Sequence, residues 1–291
     1  MPLFIESNYL ESMFRNSNVN ERYSYQIFFI LLIFLIACNR QQAQEKQHQT
    51  TTSSKLIEVQ EQISNAPSFI TRNIIQDRQR NMWFATFDGI FKYDGKSFSN
   101  VSNSFSKSRF FSVMEDRNGH LWFGSIGEGI YKYDGNTFQN FTSNDGLINN
   151  EIGWIFEDSK GHFWFGANGA ISKSDGNSFV NYRLMPNGII EDTSGVIIPN
   201  MTRPSNEVNA IVEDNKGFIW IGTRGRAFTF DGKIFKPIMH EGNTFNNVRT
   251  ILKDQQGHIW LGGNNGLWKY DGASFIQLSE NFTGNIFEDS L

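Results

Sequence analysis

From residue 68 onward the apolar positions fall in short runs separated by small clusters of Asp, Asn and Gly, and the arrangement recurs. Residues 112–141 show it most plainly: SVMEDRNGHLWFGSIGEGIYKYDGNTFQNF. Runs this short, aromatic and β-branched, bounded by turn formers, predict strands. Four strands are expected per unit: a over 113–116, b over 121–124, c over 130–134 and d over 138–141. Between a and b lies Asp116-Arg117-Asn118-Gly119, and between c and d lies Asp134-Gly135-Asn136. Both read as tight turns, with Asp bonding the nearby backbone and Gly taking positive φ. The 3.6-residue period that helical repeats need is not visible.

The unit repeats. Trp stands at 83, 122, 164, 220 and 260, and an Asp-Gly pair follows each, beginning at Asp94, Asp134, Asp175, Asp231 and Asp271. The two series move in step at about 40 residues, with one insertion between the third and fourth units. Four antiparallel strands per unit of that length predict an all-β fold, a β-propeller. Five complete blades are expected. One blade cannot bury both its faces, so Trp and Phe stacked between neighbours are the expected core. Asn285-Ile286-Phe287-Glu288-Asp289 reads as the first strand of a sixth blade, either capping five closed blades or marking a fragment.

The pattern ahead of the repeats is different. Residues 27–37 read IFFILLIFLIA, too short for a bilayer-spanning helix and suited to the core of a signal peptide. Arg15 and Arg22 precede it, and Met13 fits as the true start, since Glu6 and Glu11 do not suit a leader. The run ends Leu35-Ile36-Ala37-Cys38, which resembles the lipobox of bacterial lipoproteins. That resemblance implies cleavage after residue 37, acylation of Cys38 and a membrane anchor through the N-terminal lipid. Residues 38–66, rich in Gln, Thr and Ser, read as a disordered tether, within which Leu56-Ile57-Glu58-Val59 alternates weakly. The propeller is expected over 67–291.

The repeat resembles that of the two-component regulator propeller family. The residues that carry this are IFEDSKGHFWFG from Ile155, IVEDNKGFIWIG from Ile211 and ILKDQQGHIWLGGNNGLWKYDG from Ile251, with the link NDGLINN from Asn144. In that family such propellers form the extracytoplasmic sensor half of hybrid two-component systems and often detect glycans. The resemblance implies an envelope-tethered sensor that binds a polar ligand, a glycan or a protein, without being an enzyme. With the lipobox it implies an outer-membrane lipoprotein facing the periplasm or cell surface. A propeller-fold lyase or glycosidase, or a non-functional fragment of a larger sensor kinase, is the alternative. The streptogramin lyases have a similar blade pattern and use a propeller-face His with a metal. Here His240 is the propeller histidine outside the repeat position.

Composition narrows the partners. The chain has 291 residues and a formal net charge of −4, which argues against nucleic acid, whose binding needs a basic face. A single cysteine allows no internal disulfide and no Cys-based zinc site. No cofactor or metal is expected.

Within the repeat, the Glu-Asp pairs at 115/116, 157/158 and 213/214 suggest acid–base chemistry. They recur at one blade position, and a catalytic pair is needed once whereas a turn is needed in every blade. His120, His162 and His258 also share one position and read as structural rather than as metal ligands. Phosphate loops and nucleophile elbows are absent from the sequence. The loops sort by face. In an antiparallel four-strand blade the a–b and c–d turns share one face, and the b–c and d–a loops share the other. The second set varies from blade to blade, and binding on a rigid scaffold favours such a face. Asp88, Glu128, Asn168, Arg224, Arg226 and Asn264, all in b–c loops, are the expected ligand-binding rim. The insertion over 183–206 is a d–a link. Its Ile190-Glu191-Asp192-Thr193-Ser194-Gly195 is expected to be a decayed repeat or an extra hairpin over the pore.

Overall fold

The structure, a computed structural model, describes residues 56–59, 62–185, 188–198 and 207–289. The expected leader, Met13, Cys38 and residues 39–55 of the expected tether lie outside the described residues. Two short strands come first, β1 (Leu56–Glu58) and β2 (Ile63–Ser64). The first blade is β3 (Thr71–Gln76), β4 (Met82–Thr86), β5 (Gly89–Tyr93) and β6 (Phe98–Asn100). The second is β7 (Phe110–Glu115), β8 (Leu121–Ser125), β9 (Ile130–Tyr133) and β10 (Thr137–Phe141). The third is β11 (Ile152–Glu157), β12 (Phe163–Ala167), β13 (Ala170–Ser174) and β14 (Phe179–Met185), extended by β15 (Gly188–Glu191). The fourth is β16 (Val208–Glu213), β17 (Ile219–Thr223), β18 (Ala227–Phe230) and β19 (Phe235–Pro237). A hairpin of β20 (Met239–His240) and β21 (Asn243–Thr244) leads to the fifth: β22 (Val248–Lys253), β23 (Ile259–Gly263), β24 (Gly266–Tyr270) and β25 (Phe275–Ser279).

Each blade is an antiparallel meander in sequence order, as expected for an all-β propeller. The a strands are innermost and pack one on the next in the order β3, β7, β11, β16, β22.

Every a–b turn is built around one aspartate. Asp77, Asp116, Asp158, Asp214 and Asp254 each accept the indole N–H of the Trp six residues on, at 2.7–3.0 Å. The other carboxylate oxygen accepts the backbone N–H four residues on. The repeat-position histidines belong to the same turn: Nδ1 of His120, His162 and His258 lies 2.8–3.1 Å from its aspartate. The preceding glutamate has a separate task. Glu115, Glu157 and Glu213 each accept a backbone N–H from the turn of the blade before, those of Arg78, Arg117 and Ser159. Arg78 and Arg117 add guanidinium bonds to carbonyls across the same junctions. The Glu-Asp pairs are therefore a turn clamp and an interblade clamp, so every repeated carboxylate has a structural duty.

The rest of the junction is steric. Trp83, Trp122, Trp164 and Trp220 are buried against the following blade. In the Trp-x-Gly motif the glycine makes room for the next inner strand. A Cβ on Gly222 would stand 2.8 Å from Val248 Cγ1, a distance real Cβ atoms do not show.

Three segments differ from expectation. The weak alternation at residues 56–59 forms β1, which pairs with β10 as a fifth strand of the second blade, while β2 pairs with β6. The end of the expected tether thus covers two outer sheet edges, which unpaired would template aggregation. The insertion hairpin does not cross the pore. It lengthens β14 and returns as β15 on the outer edge of the third blade, held by Arg183 against Asp192 at 3.1 Å. Residues 285–289 form no strand. Glu288 nonetheless accepts the N–H of Gln255 at 3.1 Å, repeating the interblade clamp.

Candidate functional site

The inner strands carry one irregularity that the sequence pattern does not announce. Each a strand has a bulge near its start, where the pairing with strand b skips a residue. The skipped residues are Arg72, Phe111, Gly153, Asn209 and Arg249. A bulged residue leaves the ladder and is aimed elsewhere, which is why bulges gather beside functional sites. Here all five line one cavity of about 560 Å³ at the axis, and Gly284, at the equivalent place in the last segment, lines it too. Each stands five residues before its turn aspartate.

The cavity lies at the end of the channel bounded by the b–c loops. Those loops are knitted to the starts of the inner strands: Phe87 N–H donates to the Ile70 carbonyl, Ile126 N–H to Arg109, and Arg224 N–H to Glu207. The varied face expected from topology is therefore the face of this cavity.

Its charge is set by few groups. The Arg72 guanidinium sits 4.7 Å above the Phe111 ring, which itself stacks on Phe87 at 5.2 Å. Stacking on an aromatic face holds a guanidinium flat and leaves its edge N–H groups for a ligand. Arg249 donates to Asn209 Oδ1 at 3.4 Å, and Asn209 Nδ2 donates to the Val248 carbonyl. Glu207 is the one carboxylate among the lining residues, against two guanidiniums. Trp154 adds an indole whose N–H donates to Ile211 O.

The six rim residues expected from sequence divide into two groups. Three are drawn into the structure, two of them through side-chain hydrogen bonds. Asp88 accepts from Ser68 and Thr86. Glu128 accepts from Ser106 Oγ at 2.6 Å and from the Tyr131 hydroxyl at 2.7 Å, and burial together with that carboxylate pushes the Tyr131 phenol up. Asn168 is buried, with both side-chain amide atoms lacking a protein partner. The other three are exposed: Arg224, Arg226 and Asn264, the last accepting from Asn247 Nδ2 at 2.8 Å. None of the six lines the axial cavity. The five bulged residues are what sequence reasoning missed. Their signal was a strand-a position that changes chemistry from blade to blade inside an otherwise regular unit.

Among the described residues, no group of three or more His, Cys, Asp and Glu side chains is placed to hold a metal ion. His240 packs edge-on against Trp268 at 4.9 Å, beside the β20–β21 hairpin.

Known proteins bear on the fold. The sequence profile of the two component regulator propeller matches residues 104–127, 146–169, 202–225 and 244–265. These four stretches carry strands a and b of the second to fifth blades. The first blade departs at its turn, where Arg80 takes the positive φ that Gly119, Gly161, Gly217 and Gly257 take elsewhere. No curated protein matches the chain. Among solved structures, the extracellular domain of a hybrid two component system of B. thetaiotaomicron is similar, with a TM-score of 0.54 at 23% identity. The alignment covers 68% of this chain and 27% of that one, so this chain spans about a quarter of that relative. PorZ, a surface component of the type-IX secretion system of Porphyromonas gingivalis, gives 0.48 at 15% identity over 70% of this chain and 33% of its own. A virginiamycin B lyase of Staphylococcus aureus gives 0.45 at 15% identity over 80% of this chain and 90% of its own.

Proposed function

From a chain of two-component regulator propeller repeats, we propose an extracytoplasmic sensor module that binds a polar, anionic ligand at the mouth of its channel. An acidic glycan fits this description. One observation carries the reading: five bulged residues, one per blade, meet in a single cavity and bring Arg72 and Arg249 to it. Guanidiniums recognise carboxylates and sulfates through paired N–H donors. Arg224 and Arg226, exposed in the adjoining loops, extend the same positive chemistry outward. The module binds rather than catalyses, because its repeated carboxylates and imidazoles are committed to turns and junctions. Cys38 is the proposed lipid anchor to the envelope. No helix among the described residues is long and apolar enough to cross a membrane. The signalling output of the whole sensor is part of the same proposal.

Titration calorimetry over neutral and acidic oligosaccharides tests it. Arg72→Ala and Arg249→Ala are each expected to weaken binding of an acidic glycan by about 1.5–3 kcal/mol, the range for hydrogen bonds to charged groups. Lys160→Ala, in an a–b turn on the far face, is expected to change nothing. Equal losses from both faces, or binding confined to neutral sugars, would overturn the reading. Cys38→Ala is expected to release the protein from membranes on fractionation.

A further inference from the structure

Three departures from the repeat meet at one junction. The first concerns the Trp of strand b. In four blades a lysine directly across on strand c holds its ammonium over the indole: Lys92, Lys132, Lys173 and Lys269, at 5.2–5.8 Å from the ring centre. In the fourth blade the residue paired with Trp220 is Thr229. The second concerns the turn. Where the second, third and fifth blades have a histidine against the turn aspartate, the fourth has Phe218, and its ring is exposed. The third concerns the clamp. The carboxylate that should reach back from the fifth blade to the turn of the fourth is replaced by Lys253.

At this junction a cavity of about 390 Å³ lies between the fourth and fifth blades, and Thr229 and Phe218 are among the residues that line it. Trp220 and Phe218 form one side, with Tyr270 and Phe275 of the fifth blade opposite. The Trp220 and Tyr270 rings lie 5.2 Å apart. Asp214, Asp271 and Lys216 are the charged residues among its lining, together with His258. The lining thus carries two carboxylates and one ammonium. The cavity opens on the a–b turn face, away from the axial site.

We propose that this cavity is a second ligand site, for an alkylammonium group. The four intact blades show where the cation goes: over the Trp face, at the register position that Thr229 leaves short. An aromatic wall with nearby carboxylates is the chemistry that holds an ammonium by cation–π attraction. The ligand supplies from outside the charge that lysine supplies in the other blades.

Choline and its uncharged carbon isostere are the probes, each titrated against the protein with tryptophan fluorescence and calorimetry. Saturable binding of choline, at least about tenfold tighter than the isostere, is expected. Thr229→Lys restores the residue that four blades already accommodate, so it is expected to fold with an unchanged or raised Tm and to weaken choline about tenfold or more. Thr229→Ala leaves the place open and is expected to keep the affinity within about twofold, as is Arg72→Ala at the axial site. Equal binding of the isostere would reduce the cavity to an apolar hole and overturn the proposal. So would absence of choline binding, or full affinity in a folded Thr229→Lys protein. None of these results bears on the axial site, whose test uses acidic glycans and different residues.

Discussion

The two faces of this propeller are made of the same strands and obey opposite rules. On the a–b turn face, the same residue does the same job in blade after blade: aspartate holds indole and turn in all five, and glutamate reaches back to the blade before in the second, third and fourth. On the channel-mouth face, the equivalent positions hold Arg72, Phe111, Gly153, Asn209 and Arg249, five residues with little in common. The difference lies in what each position must satisfy. A turn aspartate answers to an indole N–H and a backbone N–H at once, one through each carboxylate oxygen. A bulged residue answers to no ladder partner, so side chains of any size fit there. Uniformity marks structural duty, and variation marks where duty ends.

The largest expected effect lies on the uniform face. Trp164→Ala should destabilise the protein by about 3–5 kcal/mol, read from the denaturation midpoint, because the indole is buried between blades. A change under 1 kcal/mol, about the size of a surface substitution, would break the comparison. Next comes the clamp: Glu157→Ala should cost about 1.5–3 kcal/mol, since it frees a backbone N–H and the Arg117 guanidinium together.

Acid should act through the same face. Burial works to raise the carboxyls of Asp116, Asp158 and Asp254, but donors from indole, imidazole and backbone outweigh it and hold all three below the usual range. Asp254 is brought down to about 2. A carboxylate depressed on folding contributes stability above its unfolded value near 3.9, and that stability is lost as pH falls through the folded value. Thermal melts should therefore fall between about pH 4 and 2, and Asp254→Asn should flatten that slope. An unaltered acid slope would remove Asp254 from the account.

Smaller effects sharpen the contrast. Lys253→Glu restores the missing clamp carboxylate opposite the Asn215 turn and should add about 0.5 kcal/mol, as exposed charged contacts do. Arg249→Ala and Arg72→Ala should leave stability within about 0.5 kcal/mol while ligand affinity falls. A stability loss matching the affinity loss would make these arginines structural.

The sequence displays the blades clearly and the site hardly at all, for one physical reason. Strands, Asp-x-x-Gly turns and the Trp rhythm are local, so residues 112–141 place strands b, c and d of the second blade to within a residue, whereas strand a starts at Phe110, three residues before its expected start. The bulge is not local. Arg72 leaves the ladder because Thr71 pairs with Thr86 while Asn73 pairs with Ala85, and that skip exists only once two strands are aligned. Alternation alone puts Arg72 on the surface of an ordinary strand. The b–c loops look free in sequence, yet Glu128 turns inward to Ser106 and Tyr131, and Asn168 is buried. Likewise Thr229, Phe218 and Lys253 sit far apart along the chain, and each alone is an unremarked substitution. Strand pairing inside the fourth blade sets Thr229 and Phe218 beside Trp220, and the packing of the fifth blade on the fourth brings Lys253 to the same junction.

The bulge has an evolutionary consequence. Because the residue it expels makes no ladder bond, a point mutation there rewrites one sector of the channel wall and leaves the ladder bonds of strands a and b in place. Each sector of that wall can then change its side chain without a change in the blade behind it. Duplication of a blade would then add both a wall segment and a fresh blank to inscribe. The ring of bulges is a lock whose pins are cut one at a time.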